Sequence, residues 1–373
     1  MIVLSLLYAL FFAALGAFVP WMPPLLAERG FSAGAIGSTL AIGACARIVL
    51  APVYGRLADR THDPRRLLVM VAGIAALAVA STALLDNRAA IVAALVIHAI
   101  AVVPVLPMAE AATLAHLGER SDAYGRVRLW GSIGFILTAA GGAPLFRDGG
   151  LQWVPILVAG CWLAIAALAI ALPLATARDL QQADTREADA ALLPWRALTP
   201  VLLAAGLGAA SNGPYYALFT LQMNARGVDQ IATGLLWAWG VIAEIALMAA
   251  APALLARMRL ATALRWALLL SCARWLLYAS QPALIWIVAG QALHAASFGL
   301  VHVASVQLVG SLTPGARRNS GQAWLSVATG GLGSVIGLLF AGQLAGWNLQ
   351  TWPYVGAAVL ASLGLACAMR IER

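Results

Sequence analysis

Residues 2–27 read IVLSLLYALFFAALGAFVPWMPPLLA, a run without a single charge. A helix crosses a bilayer with about 20 apolar residues, so this stretch is long enough to span one. Comparable runs follow at about 32–54, 67–85, 89–117, 127–146 and 151–175. After a polar stretch at 176–196, with Asp179, Asp184, Arg186, Glu187 and Asp189, come 197–223, 230–256, 260–279, 283–312, 320–345 and 350–369. The spacing predicts twelve transmembrane helices. Composition agrees: 62% of the 373 residues are hydrophobic and 10% charged, where soluble domains carry about 25% charged residues.

Basic residues set the orientation and remove several functions. All 23 are Arg. Without Lys there is neither a Walker-type phosphate loop nor a Schiff base, which excludes an ATP-driven pump acting alone and a pyridoxal or retinal protein. An even span count puts both ends on one side. If that side is cytoplasmic, inner loops and ends hold sixteen Arg, and outer loops hold four: Arg29, Arg88, Arg147 and Arg226. The positive-inside rule therefore predicts cytoplasmic termini and a cytoplasmic linker. The first run lacks a basic flank and is followed at once by more spans, so it reads as a span and not as a cleaved leader. Cys45, Cys161, Cys272 and Cys367 stand singly in apolar stretches and read as core residues, neither a disulfide framework nor a metal site.

The halves resemble each other. A shift of 197 aligns Arg29-Gly30 with Arg226-Gly227, Gly37 with Gly234, Gly43 with Gly240 and Ile48 with Ile245. Parallel six-helix repeats suit a two-bundle secondary transporter. The expected domains are residues 1–175, a linker at 176–196, and residues 197–373.

Charges inside the spans mark the candidate site. Arg47, Arg128, Arg274, Glu110 and Glu244 all lie within apolar runs, along with His98, His294 and His302. A mid-bilayer charge costs about 2.5–3.5 kcal/mol on the lenient scale, so these groups must face a polar cavity or one another. With Asp122 capping the fifth span, Arg128 lies about 9 Å into it; Glu110 lies about 12 Å from the end of the fourth. A Glu110–Arg128 salt bridge is within reach. Glu244 has Arg274 and His294 as candidate partners, while His294 and His302, eight apart, share one helix face. Tyr215 and Tyr216 follow Asn212-Gly213-Pro214 in a broken seventh span. Gly330, Gly331, Gly333 and Gly337 crowd the eleventh span and read as close helix packing, compatible with a bend.

Gly55-Arg-Leu-Ala-Asp59-Arg60, followed by Pro64-Arg65-Arg66, resembles the loop between spans 2 and 3 of the major facilitator superfamily. Tyr124-Gly-Arg-Val-Arg-Leu-Trp-Gly-Ser-Ile-Gly-Phe135 is similar to the fifth-span signature of its lactose permease and 3-phenylpropionate permease branch. Gly16-Ala-Phe-Val-Pro20-Trp-Met-Pro, Val241-Ile-Ala-Glu244, Ala273-Arg274-Trp275 and Gln291-Ala-Leu-His294 through Phe298 to His302 resemble that branch too, most of all its 3-phenylpropionic acid porter type. The resemblance implies the major facilitator fold and a conformational latch at Gly55, Asp59 and Arg60. It also implies substrate contacts at Glu110, Arg128 and Phe135, and a coupling cluster of Glu244, Arg274 and His294. Two departures matter. Ser297 stands where the sugar permease has its essential proton-carrying acid, and Arg47 adds a charge. The first moves the carrier to Glu244 or His294, or removes coupling. The second favours a carboxylate substrate, which Arg grips bidentately, with Phe135, Trp130, Tyr215 and Tyr216 available as an aromatic wall.

The expected protein is an all-α membrane protein in the bacterial cytoplasmic membrane. It would be a monomer working by alternating access, and would take up a small organic anion such as an aromatic carboxylate together with protons. Substrate binding would use Arg47, Glu110, Arg128, Phe135, Tyr215, Tyr216 and Arg274; proton coupling would use Glu244, His294 and His302. Its partners are that small molecule, protons and the lipid bilayer, with no nucleic acid, metal or cofactor. A sugar or nucleoside symporter and a proton-driven exporter remain open. An intramembrane enzyme is disfavoured, because no G-x-S-x-G, H-E-x-x-H or Cys pairing occurs.

Overall fold

Prolines, glycines and short polar caps set where the helices begin, bend and end. The computed structural model describes residues 1–60, 63–117, 124–147, 149–171, 193–314 and 317–371. They form α1 (Ile2–Glu28), α2 (Ala33–Arg60), α3 (Pro64–Ser81), α4 (Arg88–Leu117), α5 (Tyr124–Ala139) and α6 (Val154–Ile170). The second half gives α7 in two pieces (Trp195–Ser211 and Gly213–Ala225), α8 (Gln230–Leu255), α9 (Leu260–Ala279), α10 (Leu284–Leu312), α11 (Ser320–Ala345) and α12 (Trp352–Met369). Among the described residues ten helices are long and apolar enough to cross a membrane. The exceptions are α3, which opens on Arg65 and Arg66, and α7, whose pieces have 17 and 13 residues.

Local chemistry explains the boundaries. The Asp63 carboxylate accepts from the Arg65 amide at 3.1 Å, with Pro64 in the first helical turn of α3. Asn87 caps α4 by accepting from the Ala90 amide at 3.1 Å. Such caps satisfy amides that have no partner inside the helix. The regular ladder of α4 is interrupted at Val103–Pro104, where proline has no amide to donate. The break in α7 falls at Asn212, before Gly213-Pro214. The Asn212 side-chain Nδ2 then donates to Gly208 O at 3.0 Å and to Ser297 O of α10 at 3.2 Å.

The chain divides into two units. Unit 1 is Met1–Phe31, Cys45–Ala183 and Met223–Ala238; unit 2 is Ser32–Ala44, Asp184–Gln222 and Trp239–Arg373. The start of α2 therefore packs within unit 2, and the start of α8 within unit 1. In unit 1, a Cβ on Gly134 would overlap the Ala9 carbonyl and one on Gly16 the Phe135 carbonyl, so α1 and α5 meet backbone to backbone. Thr138 ties the pair by donating to Ala13 O at 2.7 Å. His98 is a satisfied core residue: its Nδ1 lies 3.0 Å from Ala75 O and its ring stacks on Phe18.

In unit 2 the same device joins α7 to α11. A Cβ on Gly213 would overlap Gly337, and one on Gly337 would overlap the Ala210 carbonyl. Gly333 and Gly337 of α11 thus serve close packing, and the Val327–Gly333 stretch is also a wide π-helical turn. Replacing Gly337 with Val should cost about 1–3 kcal/mol through overpacking. The check is a lowered melting temperature in detergent; an unchanged one would refute the contact. The cysteines disperse: Cys161 is buried, Cys272 and Cys367 are intermediate and Cys45 is exposed, so the core reading holds for only one.

Candidate functional site

Unit 2 assembles its charged groups around one guanidinium. Arg274, near the end of α9, is completely buried. Its Nη1 donates to Ser297 Oγ at 2.8 Å and lies 3.2 Å from His294 Nδ1. Its Nη2 donates to Gln291 Oε1 at 2.9 Å. All three acceptors are neutral and sit on α10. Three rings enclose the cation, with the guanidinium carbon 4.7 Å from the Tyr215 centroid, 4.4 Å from Trp275 and 5.4 Å from Tyr278. Cation–π contact and hydrogen bonding thus replace the lost hydration.

The shape of α10 brings these acceptors together. Ala295–Leu300 forms a π-helical turn immediately after His294. Such widened turns recur at functional sites. The His294 and Phe298 rings stack at 5.5 Å, and Phe298 and His302 at 6.4 Å, within 10° and 9° of parallel. Glu244 on α8 reaches the other edge of the imidazole, with Oε2 3.9 Å from His294 Nε2. Gly240 and Gly299 border the pair: a Cβ on Gly240 would make ordinary contact with Gln291 Oε1 at 3.5 Å, and one on Gly299 would crowd Leu247 at 3.1 Å. Tyr216 lies within electrostatic reach of both Glu244 and Arg274. Five predicted residues of this half, Arg274, Glu244, His294, Tyr215 and Tyr216, therefore come together. His302 joins through Phe298.

Unit 1 holds a more open group. The Arg128 guanidinium carbon on α5 lies 4.0 Å from the Phe12 ring centroid and 5.8 Å from that of Tyr8. It makes no hydrogen bond or ion pair among the described residues. Glu110 on α4 lies against Tyr124 and within electrostatic reach of Arg128, without the direct salt bridge that depth alone had made accessible. The guanidinium lies instead against the Phe12 ring. Phe135 packs at 6.4 Å on Trp237, also in unit 1, and Trp130 is exposed. The side chains of Arg47, Asp59 and Arg60, Gly55 as a latch position, and the Asp122 cap lie outside the described residues.

Sequence reasoning missed Gln291, Tyr278, Tyr8, Phe12 and Tyr124 as site residues. Gln291 had a signal: it precedes His294 by three and so shares its face. The aromatic residues had none, since rings in spans are common packing residues.

A buried polar centre in one helical unit and a more open one in the other suit a membrane transporter. The chain belongs to the MFS_1 like family, whose pattern matches residues 1–355, and it is a multi-pass transporter of the major facilitator superfamily. It is 29% identical over 362 residues to the maltose permease of Geobacillus stearothermophilus, covering 96% of this chain and 90% of that protein. To the probable 3-phenylpropionic acid transporter of Escherichia coli (strain K12) it is 26% identical over 314 residues, covering 82% and 81%. Its fold superimposes on the solved nucleoside transporter NupG with a TM-score of 0.84 at 16% identity, covering 99% of this chain and 97% of that one.

Proposed function

We propose that this transporter works by alternating access and takes up a small organic anion, such as an aromatic carboxylate, together with protons. Arg128 carries the reading. It is a guanidinium within a membrane span whose fork of donors has no acceptor among the described residues, and its carbon lies 4.0 Å from the Phe12 ring centroid. A planar carboxylate fits such a fork with two parallel charge-assisted hydrogen bonds. Likeness to a probable 3-phenylpropionic acid transporter supports the same substrate class. The excess of Arg on one set of loops supports a bacterial inner-membrane location with cytoplasmic termini and linker.

Inward movement of protons would let an anion enter against a negative-inside potential worth about 2.3 kcal/mol per charge per 100 mV. One proton per monovalent anion makes entry electroneutral; two give net inward charge. Glu244, whose carboxylate lies 3.9 Å from His294 Nε2, is the group placed to carry a proton. Glu244→Gln is expected to keep substrate exchange and to lose accumulation; a variant that still concentrates substrate would remove Glu244 from the coupling step.

The test uses purified protein in liposomes that enclose a pH-sensitive dye. Saturable internal acidification on adding 3-phenylpropionate, absent in Arg128→Ala, is the expected result. The control matters because protonated weak acids cross lipid unaided. A second reading, neutral sugar symport, is favoured by the 29% identity to a maltose permease. A response to maltose or galactosides and none to aromatic acids would establish it in place of the first.

A further inference from the structure

The contacts of His294 fix which of its nitrogens carries hydrogen. Arginine only donates, so the ring nitrogen 3.2 Å from Arg274 Nη1, Nδ1, must present a lone pair. The neutral ring then bears its hydrogen on Nε2, the atom that faces Glu244 Oε2 at 3.9 Å. An imidazolium would turn an N–H toward the guanidinium and put two cations in contact inside a buried cluster. The ring has no freedom to escape. Phe298 stacks on it, Tyr215 lies 5.0 Å from its centroid, and both ring nitrogens are engaged. Exposure separates the two candidates: the His294 side chain is 6% exposed, and that of Glu244 is 23%. A proton carrier must exchange with water, and the carboxylate is the more open of the two groups.

We propose that Glu244 is the proton-carrying group and that His294 is a positioning residue, held by Arg274 as the Nε2–H tautomer throughout the cycle. This rests on the proton-coupled reading above. The Glu244 carboxylate takes a proton from water on one side, becomes a carboxylic acid, and returns the proton to water on the other. The Nδ1 lone pair stays committed to Arg274 in both states. Among the described residues, the charged and titratable groups named around the pair are Tyr215 and Tyr216 of α7, Glu244 of α8, Arg274 and Tyr278 of α9, and His302 of α10. Ser297 is what permits the arrangement. A carboxylate at that position would pair with Arg274 and compete with His294 Nδ1 for its Nη1 atom.

The tautomer can be read without any substrate. In protein labelled with 15N-histidine and 13C-glutamate, His294 is assigned by loss of its signals in His294→Gln, and Glu244 by loss in Glu244→Gln. Between about pH 4 and about pH 8, which brackets the ordinary range of both groups, Nδ1 is expected to stay unprotonated and Nε2 protonated, while the Glu244 carboxyl titrates. An imidazolium signal, the opposite tautomer, or a Glu244 carboxyl that never titrates overturns the proposal. Transport supplies the second readout. Glutamine can accept from Arg274 and donate toward Glu244, so His294→Gln should accumulate 3-phenylpropionate with the wild-type pH profile, whereas His294→Leu should not. Coupled uptake in the wild type with exchange alone in His294→Gln makes the ring the carrier and defeats this assignment. Wild-type uptake of 3-phenylpropionate without protons defeats the proton-coupled reading itself, and this assignment with it.

Discussion

Arg128→Ala protein is expected to fold normally and to transport nothing. Among the described residues the guanidinium's contacts with the fold are its approaches to Phe12 and Tyr8, about 0.5–2 kcal/mol for a cation–π contact, so the melting temperature in detergent should move little. Binding should fall much further. Truncating one partner of a desolvated, hydrogen-bonded charge pair costs about 2–5 kcal/mol, at least about 30-fold in affinity. Arg128→Lys should recover only part of the loss, because a point charge on a flexible stem cannot reproduce a planar fork. Titration of 3-phenylpropionate by calorimetry, beside thermal melting, separates the two effects. Wild-type affinity in Arg128→Ala would end the carboxylate reading.

Arg274→Ala should behave in the opposite way and lose stability first. Removing the side chain strips three acceptors on α10 of their donor: Gln291 Oε1, Ser297 Oγ and His294 Nδ1. It also opens a cavity between Tyr215, Trp275 and Tyr278. Disrupting a buried charge cluster by removing one member typically costs about 3–5 kcal/mol. Arg274→Met, which fills much of the volume but supplies no donors, tells the cavity from the orphaned acceptors: the smaller its destabilisation, the larger the share due to packing. A wild-type melting temperature in Arg274→Ala would refute the cluster as a structural hub. Two arginines that look alike in the sequence are thus predicted to fail in different assays.

Much of the fold could be read from particular residues. Pro64 after Asp63, Asn87 before Arg88, and Asn212-Gly213-Pro214 each mark a helix start or break through local chemistry, and each structural boundary falls there. The pairing of Glu110 with Arg128 could not be read so well. Depth along a helix follows from counting residues, but which way a side chain points depends on the helix's rotation about its axis. A helix apolar on all sides has no polar stripe to report that rotation. Distance to the bilayer edge was therefore legible, and facing was not. The π-helical turn at Ala295–Leu300 compounds the difficulty: regular 3.6-residue spacing does not describe the faces of His294, Ser297 and Phe298.

The sequence by itself determined that the chain spans a membrane many times and that its charges are confined to a few places. It also determined which residue types stand at those places. These follow from composition and one-dimensional spacing, because lipid tolerates few unpaired polar groups wherever they occur. Only the tertiary structure decided that Arg274 is sealed among neutral acceptors and aromatic faces while Arg128 finds no acceptor among the described residues. That difference comes from helices separated in sequence whose relative rotation is set by close glycine contacts and a widened turn. No pattern along a single uniformly apolar helix encodes it.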